Sequence, residues 1–318
     1  SALEASLGTN HGDLHWPDED PVPAVSVDEQ AGLRPDSALF KAWFESPFFA
    51  FCQYRLGVEV LPEPAQGLDA RVQGTLVHAV LEAFWREVGS SAALAALGDA
   101  AVQARVAEWL DTQLPRVLPA AEYGPATVRL ERQRALDVIT DWLRHERRRM
   151  DAFVVQATEA SAAPNVAGLQ LRLRLDRVDR VSTPYGERWL VIDYKTGREA
   201  ETKGWRSDRL SEPQLPLYAS HAATLAAGVP EVNGICFGHL KDGHPALVAQ
   251  TSWRKKLIQP EDGDFSAEWN EQLAQWRHSI EGAARGFLAG EAWISERVTE
   301  RSHYAHLLAL GGGTPEEE

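Results

Sequence analysis

Only two cysteines and one methionine occur in 318 residues. Cys52 and Cys236 can close at most one disulfide, so cross-links do not carry this fold, and a reducing cytoplasm is the expected compartment. No apolar run approaches the ~18 residues that span a bilayer. No basic segment followed by an apolar stretch opens the chain. Neither membrane association nor secretory export is therefore expected. A Gly-x-x-x-x-Gly-Lys-Ser/Thr phosphate loop is missing, which excludes an ATPase motor within this sequence, and there is no internal repeat. The composition, 44% hydrophobic and 25% charged, suits a globular protein with a substantial core. The first residue is Ser, which leads us to expect a segment of a longer polypeptide.

Positive charge is also scarce, with 32 Lys and Arg against 46 Asp and Glu, a net −14. That balance is unfavourable for a nucleic-acid partner, whose phosphates are bound mainly by clustered Lys and Arg. The deficit is concentrated at the ends. Residues 1–33 hold seven acids (Glu4, Asp13, Asp18, Glu19, Asp20, Asp28, Glu29) and no Lys or Arg, and the tail adds Glu316, Glu317 and Glu318, leaving −4 for the rest. The Pro- and acid-rich stretch to about Leu33 reads as an extended or disordered arm. Gly311-Gly312-Gly313-Thr314-Pro315 and the glutamates after it read as a loose tail. The expected organisation is an acidic arm or linker over 1–35, one domain over 36–310 and a disordered tail over 311–318.

Within that domain Val77, Val80, Leu81 and Phe84 recur at helical spacing, as do Leu130, Val138 and Trp142, and helices are expected to about residue 153. From Leu169 the period changes to two. Leu171, Leu173 and Leu175 share one face, and Arg172, Arg174, Asp176 and Val178 the other. Thr183-Pro184-Tyr185-Gly186-Glu187 supplies turn chemistry before the run Trp189-Leu190-Val191-Ile192, so 169–195 is expected to form a hairpin. A helix near 213–226, strands near 233–240 and 246–250, and a closing helix near 266–290 follow. The predicted class is α/β, a central mixed sheet flanked by helices with a helical N-terminal portion over the site.

The chemistry concentrates in Leu175-Asp176-Arg177-Val178-Asp179 and, further on, Asp193-Tyr194-Lys195-Thr196-Gly197. In a strand, Asp193 and Lys195 emerge on the same face. Asp176, on the paired strand of the hairpin, is the natural second carboxylate. Two carboxylates hold a hard cation, which polarises a phosphoryl oxygen and lowers the pKa of a bound water, while an ammonium orients that water or stabilises developing charge. An isolated Asp-x-Lys is more often a surface ion pair. Here the apolar run Leu190-Val191-Ile192 carries Asp193 out of a core, and buried charge without a partner is costly.

Taken together, these segments resemble a known family. Gly74-Thr75-Leu76-Val77-His78-Ala79-Val80-Leu81-Glu82 is similar to its opening helix motif, and Asp176-Arg177-Val178-Asp179 to its acidic strand motif. Ile192-Asp193-Tyr194-Lys195-Thr196-Gly197 is similar to its signature, and Gln214-Leu215-Pro216-Leu217-Tyr218 to its trailing helix. The family is the PD-(D/E)XK nuclease superfamily, and within it the RecB/AddB-type domains of bacterial helicase–nucleases. The resemblance implies a restriction-endonuclease-like core and a metal-dependent DNA nuclease, an exonuclease by expectation, acting in DNA repair or recombination. Mg²⁺, or Mn²⁺ in its place, would be held by His78, Asp176, Asp193 and the backbone carbonyl of Tyr194. Lys195 would be the catalytic lysine, Glu159 an additional acid, and Gln214 and Tyr218 residues bordering the site. DNA is the implied substrate, and a helicase subunit or the rest of a longer polypeptide the implied partner.

AddB-type domains commonly bind an iron–sulfur cluster through four cysteines, one just before a Pro-Phe pair. Here Ser46 precedes Pro47-Phe48 and the region around Arg301-Ser302-His303-Tyr304 has no cysteine. Cluster ligation needs thiolates, so no cluster is expected, and packing must close the domain instead. Ser211-Glu212-Pro213-Gln214 also fits a helix capping box, which leaves Gln214 with a purely structural alternative. For DNA contact the candidates are Arg144-His145-Glu146-Arg147-Arg148-Arg149 with Arg129, Arg132 and Arg134, then Trp253-Arg254-Lys255-Lys256. A solvated helix face is the plainer explanation of such runs. Arg172 and Arg174 share a strand face with Asp176. The alternative function is a catalytically silent DNA-binding or scaffolding module that keeps the fold.

Overall fold

Val77, Val80, Leu81 and Phe84 are all fully buried, as their spacing requires, on a helix whose ends are also written in the sequence. The Asp69 carboxylate accepts from the Arg71 amide, and Gly89 terminates the helix in the left-handed region at φ 67. The computed structural model describes residues 22–59, 68–197, 202–221, 229–241, 243–296 and 298. Most of the predicted arm and all of the predicted tail lie outside them. Helices α1 (Val27–Gly32), α2 (Ser37–Glu45) and α3 (Pro47–Ala50) lead through a π turn to α4 (Ala70–Val88). There follow α5 (Ser91–Ala96), α6 (Asp99–Val117), α7 (Ala120–Tyr123) and α8 (Pro125–Glu146). The second half carries β1 (Ala152–Ala162), β2 (Asn165–Val166), β3 (Leu169–Gln170), β4 (Leu173–Thr183) and β5 (Gly186–Lys195). It ends with α9 (Gln214–Ser220), β6 (Gly234–His239), β7 (Ala246–Thr251) and α10 (Ser266–Ala289).

The main sheet has the order β1-β4-β5-β6-β7. All its neighbours run antiparallel except β5 and β6, which are parallel and joined through α9. One apolar core lies between the sheet and α2, α3, α9 and α10. A second lies between the sheet and α4, α5, α6 and α8. The architecture is the expected mixed sheet flanked by helices.

Two expectations need correction. The sheet begins at Ala152, not Leu169, because β1 pairs with β4. As an edge strand it is only half-buried and Ala-rich after Val155, so it carries little of the alternation that marks a strand. The stretch to Leu33 is not extended throughout. Ser26 caps α1, Glu29 pairs with Arg55 at 2.6 Å, and the Val25 amide donates to Leu288 on α10 at 2.8 Å. Helix α1 is therefore tied to the body by contacts distant in sequence.

Ser46, which stands where the resemblance would place a cysteine, is fully buried. Its hydroxyl donates to the Trp293 carbonyl and accepts from the Ser295 amide, both at 3.2 Å. This clasp joins the first helices to the segment after α10 through hydrogen bonds.

Candidate metal centre

The β4–β5 ladder runs from Thr183↔Gly186 to Arg177↔Ile192 and stops there. Beyond it the Tyr194 amide donates to Oδ2 of Asp176 at 2.7 Å, so a carboxylate takes the bond that a strand backbone would have made. β5 itself continues along β6 to Lys195↔His239. The splayed strand ends form an opening into which several elements point.

His78 reaches it from α4. Its Nε2 lies 3.1 Å from the Tyr194 carbonyl oxygen, and its Nδ1 lies 3.4 Å from Asp176 and 3.8 Å from Glu159. The close approach of α4 depends on Gly74, where a Cβ would meet the Thr196 hydroxyl at 3.2 Å. Glu159 comes from β1 at a backbone φ of 48. This left-handed position is uncommon for a side-chain-bearing residue and costs of order 1–3 kcal/mol. Potential ligand atoms of His78, Glu159 and Asp176 all lie within 4.8 Å of one another. Asp193 falls outside that set and pairs with Lys195, whose ammonium lies 2.7 Å from Oδ2. The buried Oδ2 has this ammonium as its counter-charge and no further hydrogen-bond partner among the described residues.

Lys195 donates to Gln214 Oε1 at 3.1 Å, Gln214 Nε2 donates to the Tyr218 hydroxyl at 3.1 Å, and Tyr218 donates to the Arg174 carbonyl at 2.8 Å. Helix α9 begins after Pro213 with no side-chain cap bond, so Gln214 serves the lysine and the capping alternative is set aside. The structure thus brings His78, Glu159, Asp176, Asp193, Tyr194, Lys195, Gln214 and Tyr218 into one neighbourhood.

Burial and neighbouring carboxylates shift the titration of two groups at the opening. Burial pushes the Asp193 carboxyl up, and the Asp176 charge adds to this, while Lys195 and His78 oppose it; the result is about 6. Burial pulls the His78 imidazole down, but hydrogen bonds to Asp176 and Glu159 and the charges of Asp176 and Asp193 prevail and raise it to about 10. Carboxylate and carbonyl oxygens, one imidazole and a buried carboxylate oxygen held only by Lys195 fit a hard divalent cation.

What the sequence reading did not assemble is a second charge cluster nearby, against Trp85 of α4. Arg177 and Asp179, both fully buried, pair at 2.6 Å. Arg177 also meets Glu146 at 2.8 Å, and Arg149 meets Asp179 at 2.6 Å and Glu146 at 3.2 Å. Arg177 stacks over Trp85 at 3.9 Å and donates to the Tyr194 hydroxyl at 3.1 Å. The signal was present in Arg177 and Asp179, two charges at alternate positions between the apolar Leu175 and Val181.

The arginine runs considered for DNA contact are largely absorbed by the fold. Arg149 joins this quartet, Arg147 and Arg144 pair with Asp99, Arg132 with Asp111 and Arg134 with Glu131. Arg254 is buried against Asp151 at 2.9 Å. Arg172 and Arg174 remain exposed beside the opening.

A family model for the PD-(D/E)XK nuclease superfamily matches residues 42–298. Among solved structures, the crystal structure of SSO0001 is similar over 85% of this chain and 94% of its own, at 12% identity and a TM-score of 0.27, too distant to carry an argument. No curated protein matches the sequence.

Proposed function

The chain belongs to the PD-(D/E)XK nuclease superfamily, and from that premise we propose that it is a Mg²⁺-dependent deoxyribonuclease of the RecB/AddB type. Nucleases of this superfamily use divalent metals. The observation that carries the reading is the convergence of Asp176, Asp193 and Lys195 with His78 and Glu159 at the splayed end of β4 and β5. His78, Asp176, Asp193 and the Tyr194 carbonyl would hold the cation, with Glu159 beside them. When bound, it supplies Lewis-acid polarisation of the phosphodiester and a more acidic water. Lys195, steadied by Gln214 and Tyr218, offers its ammonium to the attacking water or to charge on the scissile phosphate. Exonuclease action in DNA repair or recombination, a cytoplasmic setting and coupling to a helicase subunit or further polypeptide belong to the same proposal. So does a catalytic domain over 36–310 between an acidic arm and tail. No iron–sulfur cluster is part of it, since Cys52 and Cys236 are too few to ligate one.

Incubation with single- and double-stranded DNA tests the reading. Cleavage is expected with Mg²⁺ or Mn²⁺, is stopped by chelator, and is lost in Asp193→Ala, while Ca²⁺ binds without turnover. Absence of cleavage with every cation, combined with equal Ca²⁺ affinity of wild type and Asp193→Ala, would leave only the silent-module alternative.

A further inference from the structure

A cavity of about 320 Å³ opens beside the metal centre and is lined by Asp36, Ser37, Arg172, Arg174, Gln214 and Tyr218 among others. It shares Gln214 and Tyr218 with the hydrogen-bond chain that steadies Lys195, so it adjoins the reacting centre. Its size is at the lower end for small-ligand sites, enough for one nucleotide-sized unit and too small for a duplex.

Its charge is unusual for this acidic chain. Arg172 and Arg174 are alternate residues leading to Asp176, about 6.6 Å apart along an extended backbone. Arg174 ion-pairs with Glu159 of the metal centre through Nε and is still largely exposed. The Arg172 guanidinium has no hydrogen bond or ion pair among the described residues, and only its backbone amide is engaged, donating to Pro35 at 2.9 Å. The other arginines of the sequence's basic runs mostly found carboxylate partners; this one did not. The one anion of the wall is partly spoken for, since Oδ1 of Asp36 accepts from the Ala38 amide at 2.9 Å and the Tyr54 hydroxyl at 2.7 Å. A guanidinium fork with free donors beside a small cavity of mixed polar and apolar lining suits a phosphate oxyanion carried on a nucleoside.

We propose that this cavity is a nucleotide subsite, in which Arg172 binds the phosphate next to the one that is cut and Arg174 links that phosphate to Glu159. The inference rests on the nuclease reading and names what its site recognises: a nucleoside phosphate, as an internal phosphodiester of a single strand or a terminal phosphate.

The test uses the full chain, wild type and Arg172→Gln, a substitution at an exposed side chain that the fold does not use. Thymidine monophosphate and an oligothymidylate lacking terminal phosphate are titrated in Ca²⁺ at several salt concentrations. The monophosphate should bind wild type, with inorganic phosphate competing and thymidine much weaker. Arg172→Gln should weaken the phosphate ligand about tenfold, the scale of a charge-assisted hydrogen bond, and reduce the salt slope by about one. Arg172→Lys should recover part of the loss. In cleavage, KM should rise by more than kcat falls. Dependence on Arg172 for the oligothymidylate assigns an internal phosphodiester, and for the monophosphate alone a terminal phosphate; both support the subsite. Failure of wild type to bind either, or equal binding by Arg172→Gln, overturns it. A chain that binds the monophosphate through Arg172 yet cleaves no DNA sinks the nuclease reading and keeps the subsite. One that cleaves with KM unchanged in Arg172→Gln does the reverse.

Discussion

Strands β4 and β5 carry two sets of buried charge, one within the packed layer and one at the open strand end, and the sets differ in how they are balanced. On the side of α4 and α8, Arg149 and Arg177 meet Glu146 and Asp179 in a closed quartet, two charges of each sign. At the open strand end, Glu159, Asp176 and Asp193 meet a protonated His78, Lys195 and the outer part of Arg174. The first set balances its charges among its own members, although Glu146 Oε2 and Arg149 Nη2 have no hydrogen-bond partner among the described residues. In the second, Asp193 is held up at about 6 by burial and the Asp176 charge, and His78 at about 10 despite burial. Buried charge paired within the fold is structural, whereas buried charge left under-compensated invites an external cation.

The largest way to break this comparison is to open the quartet. Arg177→Met leaves Asp179 and Glu146 with Arg149 as the one cation of the quartet in a dry environment and should cost about 3–5 kcal/mol, read by denaturant unfolding. Lys195→Met at the open end should cost less, because the Asp193 carboxyl, already raised to about 6, can take up a proton. Equal losses would erase the distinction.

Next comes Asp193→Asn. The folded carboxyl, raised from 3.8 to about 6, binds its proton more tightly than the unfolded one. Its favourable contribution is therefore full below about 3.8 and is lost as the pH rises through about 6. In metal-free protein the amide should raise Tm at pH 7.5 by about 5 °C, with the gain vanishing toward pH 4, while cleavage is lost. A lower Tm at pH 7.5 would show that Asp193 is a compensated structural charge.

His78 sharpens the contrast by its proton. Raised to about 10, it carries charge at pH 8, and the stabilisation from that proton is full below 6.5 and lost as the pH rises through about 10. A cation ligated by His78 must displace this proton, so Ca²⁺ affinity should rise by up to tenfold per pH unit over that interval. Calorimetry in buffers of different ionisation enthalpy should show about one proton released; buffer-independent heats would remove His78 from the ligand set.

The smallest effect probes the link between the two sets. Tyr194→Phe deletes the hydroxyl that accepts from Arg177 and keeps the peptide that touches Asp176 and His78. A stability loss of about 1 kcal/mol with little change in Ca²⁺ affinity is expected. A loss of cation binding without loss of stability would mean that the quartet positions the metal centre.

Much of this was legible in the chain because it is local. The helical spacing of Val77, Val80, Leu81 and Phe84, the alternation around Leu173 and Leu175, and the shared face of Asp193 and Lys195 are set by backbone periods of 3.6 and 2, which the order of residues states directly. The motifs around His78, Asp176, Asp193 and Gln214 indicated the candidate site for the same reason. What the order of residues could not state is which charges cancel. Arg149, Arg147 and Arg254 look like free cations in sequence, and each found its carboxylate 30 to 103 positions away. Glu159 reached the site on an edge strand too polar and Ala-rich to announce itself. Ser46 found its partners some 247 positions on. Burial and long-range pairing decide whether a charge is spent or available, and both are properties of the packed structure: the sequence determined the strands, helices and candidate chemistry, and the tertiary fold alone left Arg172 without a side-chain partner among the described residues and buried Asp193 beside Asp176.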